Sequence, residues 1–177
     1  MILLVGITGY KKSGKNTAAN FIAKNFPSHI SHTIAFADSL KKEVATLFKI
    51  TIETLEAEKD KFRSILQEYG QKEKETRGQY VWVKEVANKL NTLDSTKPQL
   101  VIIPDVRFPF EATWIKELGG FLIKIERFDS TDDLHPSETE VNKIKNSSYY
   151  LPNKGSLQDL ERECKWVSEF IKTHYKI

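Results

Sequence analysis

Apolar and polar positions along the chain alternate between strand-length runs and helical spacing. Residues 2–7, ILLVGI, are an unbroken apolar run that reads as a buried strand, and Ala18, Phe21, Ile22 and Phe26 then recur at helical period. HTIAF (32–36) reads as a second strand. It leads to Asp38 as a helix N-cap and to Leu40, Val44, Leu47 and Phe48 on one helical face. From Ile52 to Leu93 the pattern is helical and highly charged: Leu55, Phe62, Leu66 and Tyr69 share one helix, and Val83, Val86, Ala87 and Leu90 another. PQLVIIPDVRF (98–108) reads as a strand ending near Asp105, PFEATWIKELGG as a helix stopped by glycine, and FLIKIER as a further strand. SYYL (148–151) supplies a last strand, PNKG a turn, and Ser156 with Asp159 a capped final helix.

Strands alternating with helices predict an α/β fold: a five-stranded parallel sheet with helices on both faces, joined by right-handed crossovers. Residues 1–177 read as a single domain. The helical stretch at about 52–94 reads as an inserted substrate lobe. The charged stretch 128–147 has no hydrophobic period and reads as a lid-like segment.

Composition narrows the function classes. With 40% hydrophobic and 29% charged residues the chain is an ordinary globular sequence, and no apolar run reaches the roughly 18 residues of a membrane span. The N-terminus lacks the basic region and cleavage site of a signal peptide, which predicts a cytoplasmic protein. The single cysteine, Cys164, falls among Leu157, Leu160, Val167 and Ile171 at helical spacing and reads as a core thiol. A net charge of +3 carried by dispersed lysines argues against a nucleic-acid partner. Only five basic residues are arginines, Arg63, Arg77, Arg107, Arg127 and Arg162, so each is a candidate for gripping phosphate or carboxylate with its planar fork. Arg162, among charges on the last helix, equally fits plain surface placement.

The strongest chemical signal lies between the first strand and the first helix. GITGYKKSGKNTAA nearly matches the phosphate-binding loop G-x-x-x-x-G-K-[ST]: Gly9, Gly14 and Lys15 are in register, but Asn16 replaces the hydroxyl residue and Thr17 follows one position late. A strand–loop–helix of this kind wraps a polyphosphate with backbone N–H groups from Gly9 to Thr17, Lys12 and Ser13 included. Lys15 reaches the β- and γ-phosphates and the helix dipole adds to the attraction. The bland alternative is a glycine turn joining strand to helix. Asn16 offers a neutral oxygen where Mg²⁺ is ordinarily met by a hydroxyl, so metal binding would lean on Asp105 and the phosphates, directly or through water. Asp105, at a strand's carboxyl end, is placed for Mg²⁺ or substrate. It could instead cap the following helix.

Three stretches together, GYKKSGKNT, FRSILQEYG with Arg77 and YVWV, and DVRFPFEATWIKELGGFLIKIER with HPSE, resemble the deoxynucleoside monophosphate kinases encoded by bacteriophages, over residues from about Leu3 to Leu160. The resemblance implies a P-loop kinase using ATP and Mg²⁺ to phosphorylate deoxynucleoside monophosphates, giving diphosphates for viral DNA synthesis, and it alone suggests a homodimer. It also implies residue roles. The loop Gly9–Thr17 would hold ATP. Asp38, Lys41, Arg63, Gln67, Arg77 and Trp82 would receive the deoxynucleotide. Lys15, Asp105, Arg107 and Arg127 would serve catalysis, with Asp105 and Arg107 facing both substrates, and Arg127, His135, Ser137 and Glu138 would form parts of a lid. Phe110 and Pro104 depart from the family's usual Asn and Thr, which removes a polar role at both sites. Other roles remain open: Arg63 could be a solvated helix charge, Trp82 core packing and His135 a loop residue. A weaker resemblance, to phosphomevalonate kinases, covers the loop and the helical R…G segment. A nucleotide-binding regulator without turnover is the remaining alternative.

Overall fold

A computed structural model describes residues 1–127 and 136–177, with 136–138 as backbone alone. Five strands form one parallel sheet in the order β2-β3-β1-β4-β5: β1 Ile2–Thr8, β2 Ile30–Thr33, β3 Gln99–Val106, β4 Phe121–Glu126 and β5 Tyr149–Pro152. The predicted parallel α/β sheet is therefore found. The helices are α1 Lys15–Lys24, α2 Ala37–Leu47, α3 Ile52–Ala57, α4 Lys59–Arg77, α5 Val81–Asn91, α6 Pro109–Glu117, α7 Pro136–Val141 and α8 Leu157–Tyr175.

The chain folds as two compact units, residues 1–34 with 94–177, and residues 35–93. In the first, the period-2 geometry of a strand sends Leu3, Val5 and Ile7 to one face of the sheet, where they pack with Ala18, Phe21 and Ile22 of α1 and Leu160, Cys164, Val167 and Ile171 of α8. The opposite face meets α6, and Gly6 leaves room there for Ile115. In the second unit α2, α3 and α4 pack around Val44, Ala45, Leu55 and Phe62.

Several boundaries differ from the sequence pattern. β2 lies at 30–33, not 32–36, because the apolar residues that suggest the later start, Ile34 and Phe36, are buried after the strand has ended. The run from Ile52 to Tyr69 is two helices that meet at Glu58. The compact helical unit spans 35–93 and takes in α2, which turns Val44 and Ala45 toward Leu55 and Phe62. Within the stretch that reads as lid-like, α7 forms and Val141 and Ile144 are buried, an apolar pair three residues apart that the surrounding charges mask in the sequence.

Candidate functional site

In the first unit the candidate residues gather along one edge of the sheet. Because every strand is parallel, the segments that follow β1, β3, β4 and β5 all emerge at the same edge, where open α/β sheets bind ligands. The glycine loop follows β1. Gly9 is held at φ 149°, and a Cβ there would come within 2.5 Å of the Ile125 carbonyl oxygen, so only glycine fits without displacing β4. Gly14, at φ 97°, is the N-cap of α1, and Lys12 is also left-handed at φ 62°.

Lys15 folds its side chain back over the loop, donating from Nζ to the carbonyl oxygens of Gly9 at 2.7 Å and Tyr10 at 2.6 Å. The ammonium is thereby fixed at the loop, and no acidic residue in the first turn of α1 offsets the helix dipole. Asn16 is exposed and Thr17 half-buried on that turn. Ser13 is buried, and its Oγ, like Thr8 Oγ1, has no hydrogen-bond partner among the described residues. Two buried hydroxyls without partners beside a cationic loop are what a site completed by a polar ligand presents.

Asp105 is half-buried in β3 next to Val106, the residue in register with Thr8 of β1. The carboxylate thus belongs to the strand adjoining the phosphate loop. It is not a helix cap: α6 begins after Phe108, and the carboxylate serving its N-terminus is that of Glu111, whose Oε2 accepts from the N–H of Arg107 at 2.7 Å and of Phe108 at 3.0 Å. Arg107 is half-buried just past β3, and Arg127 is exposed just past β4. Phe110 stacks on Phe108 at 5.4 Å between ring centroids, an apolar role in keeping with its departure from Asn.

In the second unit, Asp38 sits in the first turn of α2 and not at its N-cap, which is Phe36. Its Oδ2 accepts from the Ala35 N–H at 2.9 Å and lies 3.5 Å from Lys89 Nζ. Lys41 pairs with Glu56 at 2.5 Å. Burial alone would raise the Glu56 carboxyl, but the hydrogen bond and charge of Lys41, with the charge of Lys59, hold it below its ordinary value. Arg63 and Gln67 are half-buried one turn apart on α4. Arg77 Nη1 binds Glu43 at 3.0 and 3.2 Å and Glu73 at 3.2 Å, and these acceptors push the guanidinium further up in pKa. The same guanidinium lies 5.9 Å from the centre of the Trp82 ring. Tyr69 donates to Glu43 at 2.9 Å. Thus Arg77 and Trp82 are brought together, while Lys41 joins Glu56, which sequence reading did not single out.

His135 lies outside the described residues, and Ser137 and Glu138 are described only as backbone of α7. Sequence reading missed Glu111, which stands at the usual capping position three residues into the helix. It also missed Asn153, which reads as a turn residue; Asn153 Nδ2 donates to the Ser13 carbonyl at 2.8 Å. Tyr10 of the loop is hydrogen-bonded to Asn142 as well. Among the described residues no group of three or more His, Cys, Asp and Glu side chains could hold a metal ion.

A parallel sheet with a lysine-bearing glycine loop after its central strand is the arrangement of P-loop nucleotide-binding proteins. A family model described as Phosphomevalonate kinase matches residues 7–120. A protein of Acanthamoeba polyphaga mimivirus named "Putative deoxynucleotide monophosphate kinase" is 32% identical, over 89% of this chain and 92% of its own. In fold, the chain is similar to dephospho-CoA kinase from Campylobacter jejuni (19% identity, TM-score 0.51, covering 96% of this chain and 97% of that one). It is also similar to a Thermus thermophilus protein (19% identity, TM-score 0.52, covering 95% and 97%). The chain belongs to the phosphomevalonate kinase family of P-loop kinases, and it is a nucleotide or small-molecule kinase. No described helix is long and apolar enough to cross a membrane.

Proposed function

We propose that this protein transfers the γ-phosphoryl group of ATP to a deoxynucleoside 5′-monophosphate, giving the diphosphate. The observation that carries phosphoryl transfer is Lys15, pinned by Gly9 and Tyr10 at the head of a helix free of acidic residues in its first turn. The choice of acceptor is supported by the name of the viral relative and by the motifs shared with monophosphate kinases.

The acceptor is already an anion and needs little help from a general base. Catalysis on this reading comes from positioning and charge neutralisation. Loop N–H groups and Lys15 hold the ATP phosphates, while Arg107 and Arg127 offset charge at the transferring group. Asp38, Lys41, Arg63, Gln67, Arg77 and Trp82 receive the deoxynucleotide; Arg77 exchanges its glutamate partners for the substrate. Mg²⁺ ordinarily binds through phosphates and one or two protein oxygens. Asn16 and Asp105 suit that sparse set, directly or through water, and the ion would supply further neutralisation of the phosphates. The product would feed DNA synthesis, in a virus if the chain shares its relative's origin.

The matching family favours a second reading, in which the acceptor is 5-phosphomevalonate or a related phosphate monoester. ADP release measured with dGMP, dTMP, dAMP, dCMP and 5-phosphomevalonate separates the two. Turnover with at least one deoxynucleotide and none with phosphomevalonate is expected, and the reverse pattern overturns the proposal. ATP binding without turnover on any acceptor would indicate a regulator. Lys15→Ala is expected to cut kcat by a factor of about 100 or more while leaving the fold intact; near-normal transfer would sink the loop assignment.

A further inference from the structure

Asn153 follows the last strand and is remote in sequence from the phosphate loop, yet it is 8% exposed and its side chain reaches into that loop. Its backbone is fixed by the sheet, since its N–H donates to the Glu126 carbonyl at 2.8 Å. From this anchor Nδ2 donates to the Ser13 carbonyl oxygen at 2.8 Å. The packing is close: a Cβ on Gly14 would lie 2.6 Å from Asn153 Nδ2.

This contact sets the orientation of a peptide group. In a trans peptide the C=O and the following N–H point in opposite directions. Holding the Ser13 carbonyl against Asn153 therefore turns the Gly14 N–H away from β5. Among the described residues nothing accepts from that N–H. Were the peptide to flip, a carbonyl oxygen would take the place of a donor in a loop whose use is to present N–H groups to an anion. Gly14, at φ 97° and without a side chain, presents little barrier of its own to such a flip, so the restraint must come from a neighbour.

We propose that Asn153 is a positioning residue for ATP, holding the Ser13–Gly14 peptide in the phosphate-binding orientation. The inference rests on the loop's being an ATP site, as in the proposed function, and concerns only the nucleotide half of the reaction. Asn153→Asp is nearly isosteric but sets a carboxylate oxygen against the Ser13 carbonyl, which repels it and favours the flipped peptide. Asn153→Ala removes the donor without adding repulsion.

The test is ATP binding to the full-length protein by calorimetry, with KM for ATP and for the acceptor measured alongside and folding checked by thermal denaturation. Asn153→Asp is expected to weaken ATP binding about tenfold and Asn153→Ala about threefold, with the acceptor KM within about twofold of wild type. ATP affinity unchanged in both folded variants overturns the inference, as does a parallel loss of both KM values, the mark of a merely structural residue. If Asn153→Asp does not fold, Asn153→Ala decides. Calorimetry keeps this apart from acceptor choice: wild type that binds ATP but phosphorylates no deoxynucleotide refutes the acceptor alone, and wild type that binds no ATP refutes both.

Discussion

Glu111 is 4% exposed, and one of its carboxylate oxygens accepts from two successive backbone N–H groups, those of Arg107 and Phe108. Bonds to a buried charged acceptor count for more than neutral ones, and removing the acceptor strands both donors. Glu111→Ala should therefore destabilise the protein by about 2–4 kcal/mol in urea titration, and with the backbone of Arg107 released it should also lower kcat. Trp82 calls for different reasoning. Its ring is 6% exposed, but Nε1 has no hydrogen-bond partner among the described residues, so the indole N–H is a cost to the fold. Trp82→Phe removes that donor and leaves a small space. The two effects oppose each other, and stability should stay within about 1 kcal/mol of wild type. If the ring also receives the deoxynucleotide, as proposed, the acceptor KM rises while that for ATP does not.

At the scale of elements, α8 is attached to the sheet by more than apolar packing. Tyr175 Oη accepts from the Leu4 N–H at 2.9 Å and donates to the Leu4 carbonyl at 2.7 Å, standing in for a strand neighbour where β4 has not yet begun to pair with β1. Tyr175→Phe forfeits both bonds and should cost about 2–3 kcal/mol, read as a lower urea midpoint at unchanged m. Burial, with a smaller contribution from Glu163 and Glu161, pushes the Cys164 thiol on the same helix up to about 12 from 9.0. Between those values the unfolded chain loses the thiol proton and the native state keeps it. The resulting contribution is fully present below pH 9.0 and is lost as pH rises toward about 12. The order of these elements is legible in the sequence because buried parallel strands are unbroken apolar runs and glycines punctuate them. β2 begins earlier than its pattern suggests because as an edge strand it exposes Ile30, so its own residues carry little apolar signal. The break at Glu58 has neither Pro nor Gly to mark it. In the site, Lys15 and its glycines are readable because their spacing is local. The bond from Asn153 to Ser13 joins positions 140 residues apart, and no local period encodes such a contact.

The two compact units differ in what holds them together. The sheet unit buries Leu3, Val5, Ile7, Leu100, Ile102 and Ile123 completely, or nearly so, between helices. The unit at 35–93 has Val44, Ala45, Leu55 and Phe62 at its centre, and α4, a 19-residue helix, buries only Phe62 and Gly70. Its other apolar side chains against that centre, Leu40, Ile50, Ile52, Ile65, Leu66 and Tyr69, are only partly buried, and ion pairs such as Lys41–Glu56 and Arg77–Glu43 are partly solvated and contribute modestly. Local stability follows buried apolar contact, so the helical unit should open without the sheet. Native-state hydrogen exchange is expected to show amides of α4 exchanging at least about tenfold faster than those of β1 and β3. Equal protection in α4 and β1 would mean that both units unfold in one cooperative step. Adding ATP should slow exchange at residues 9–17 and in α1 while leaving α4 unchanged, because a ligand stabilises directly the unit that binds it. A deoxynucleoside monophosphate should do the reverse, protecting the helices that carry Arg63, Arg77 and Trp82. Such ligand-specific protection would assign each substrate to its unit without a measurement of turnover.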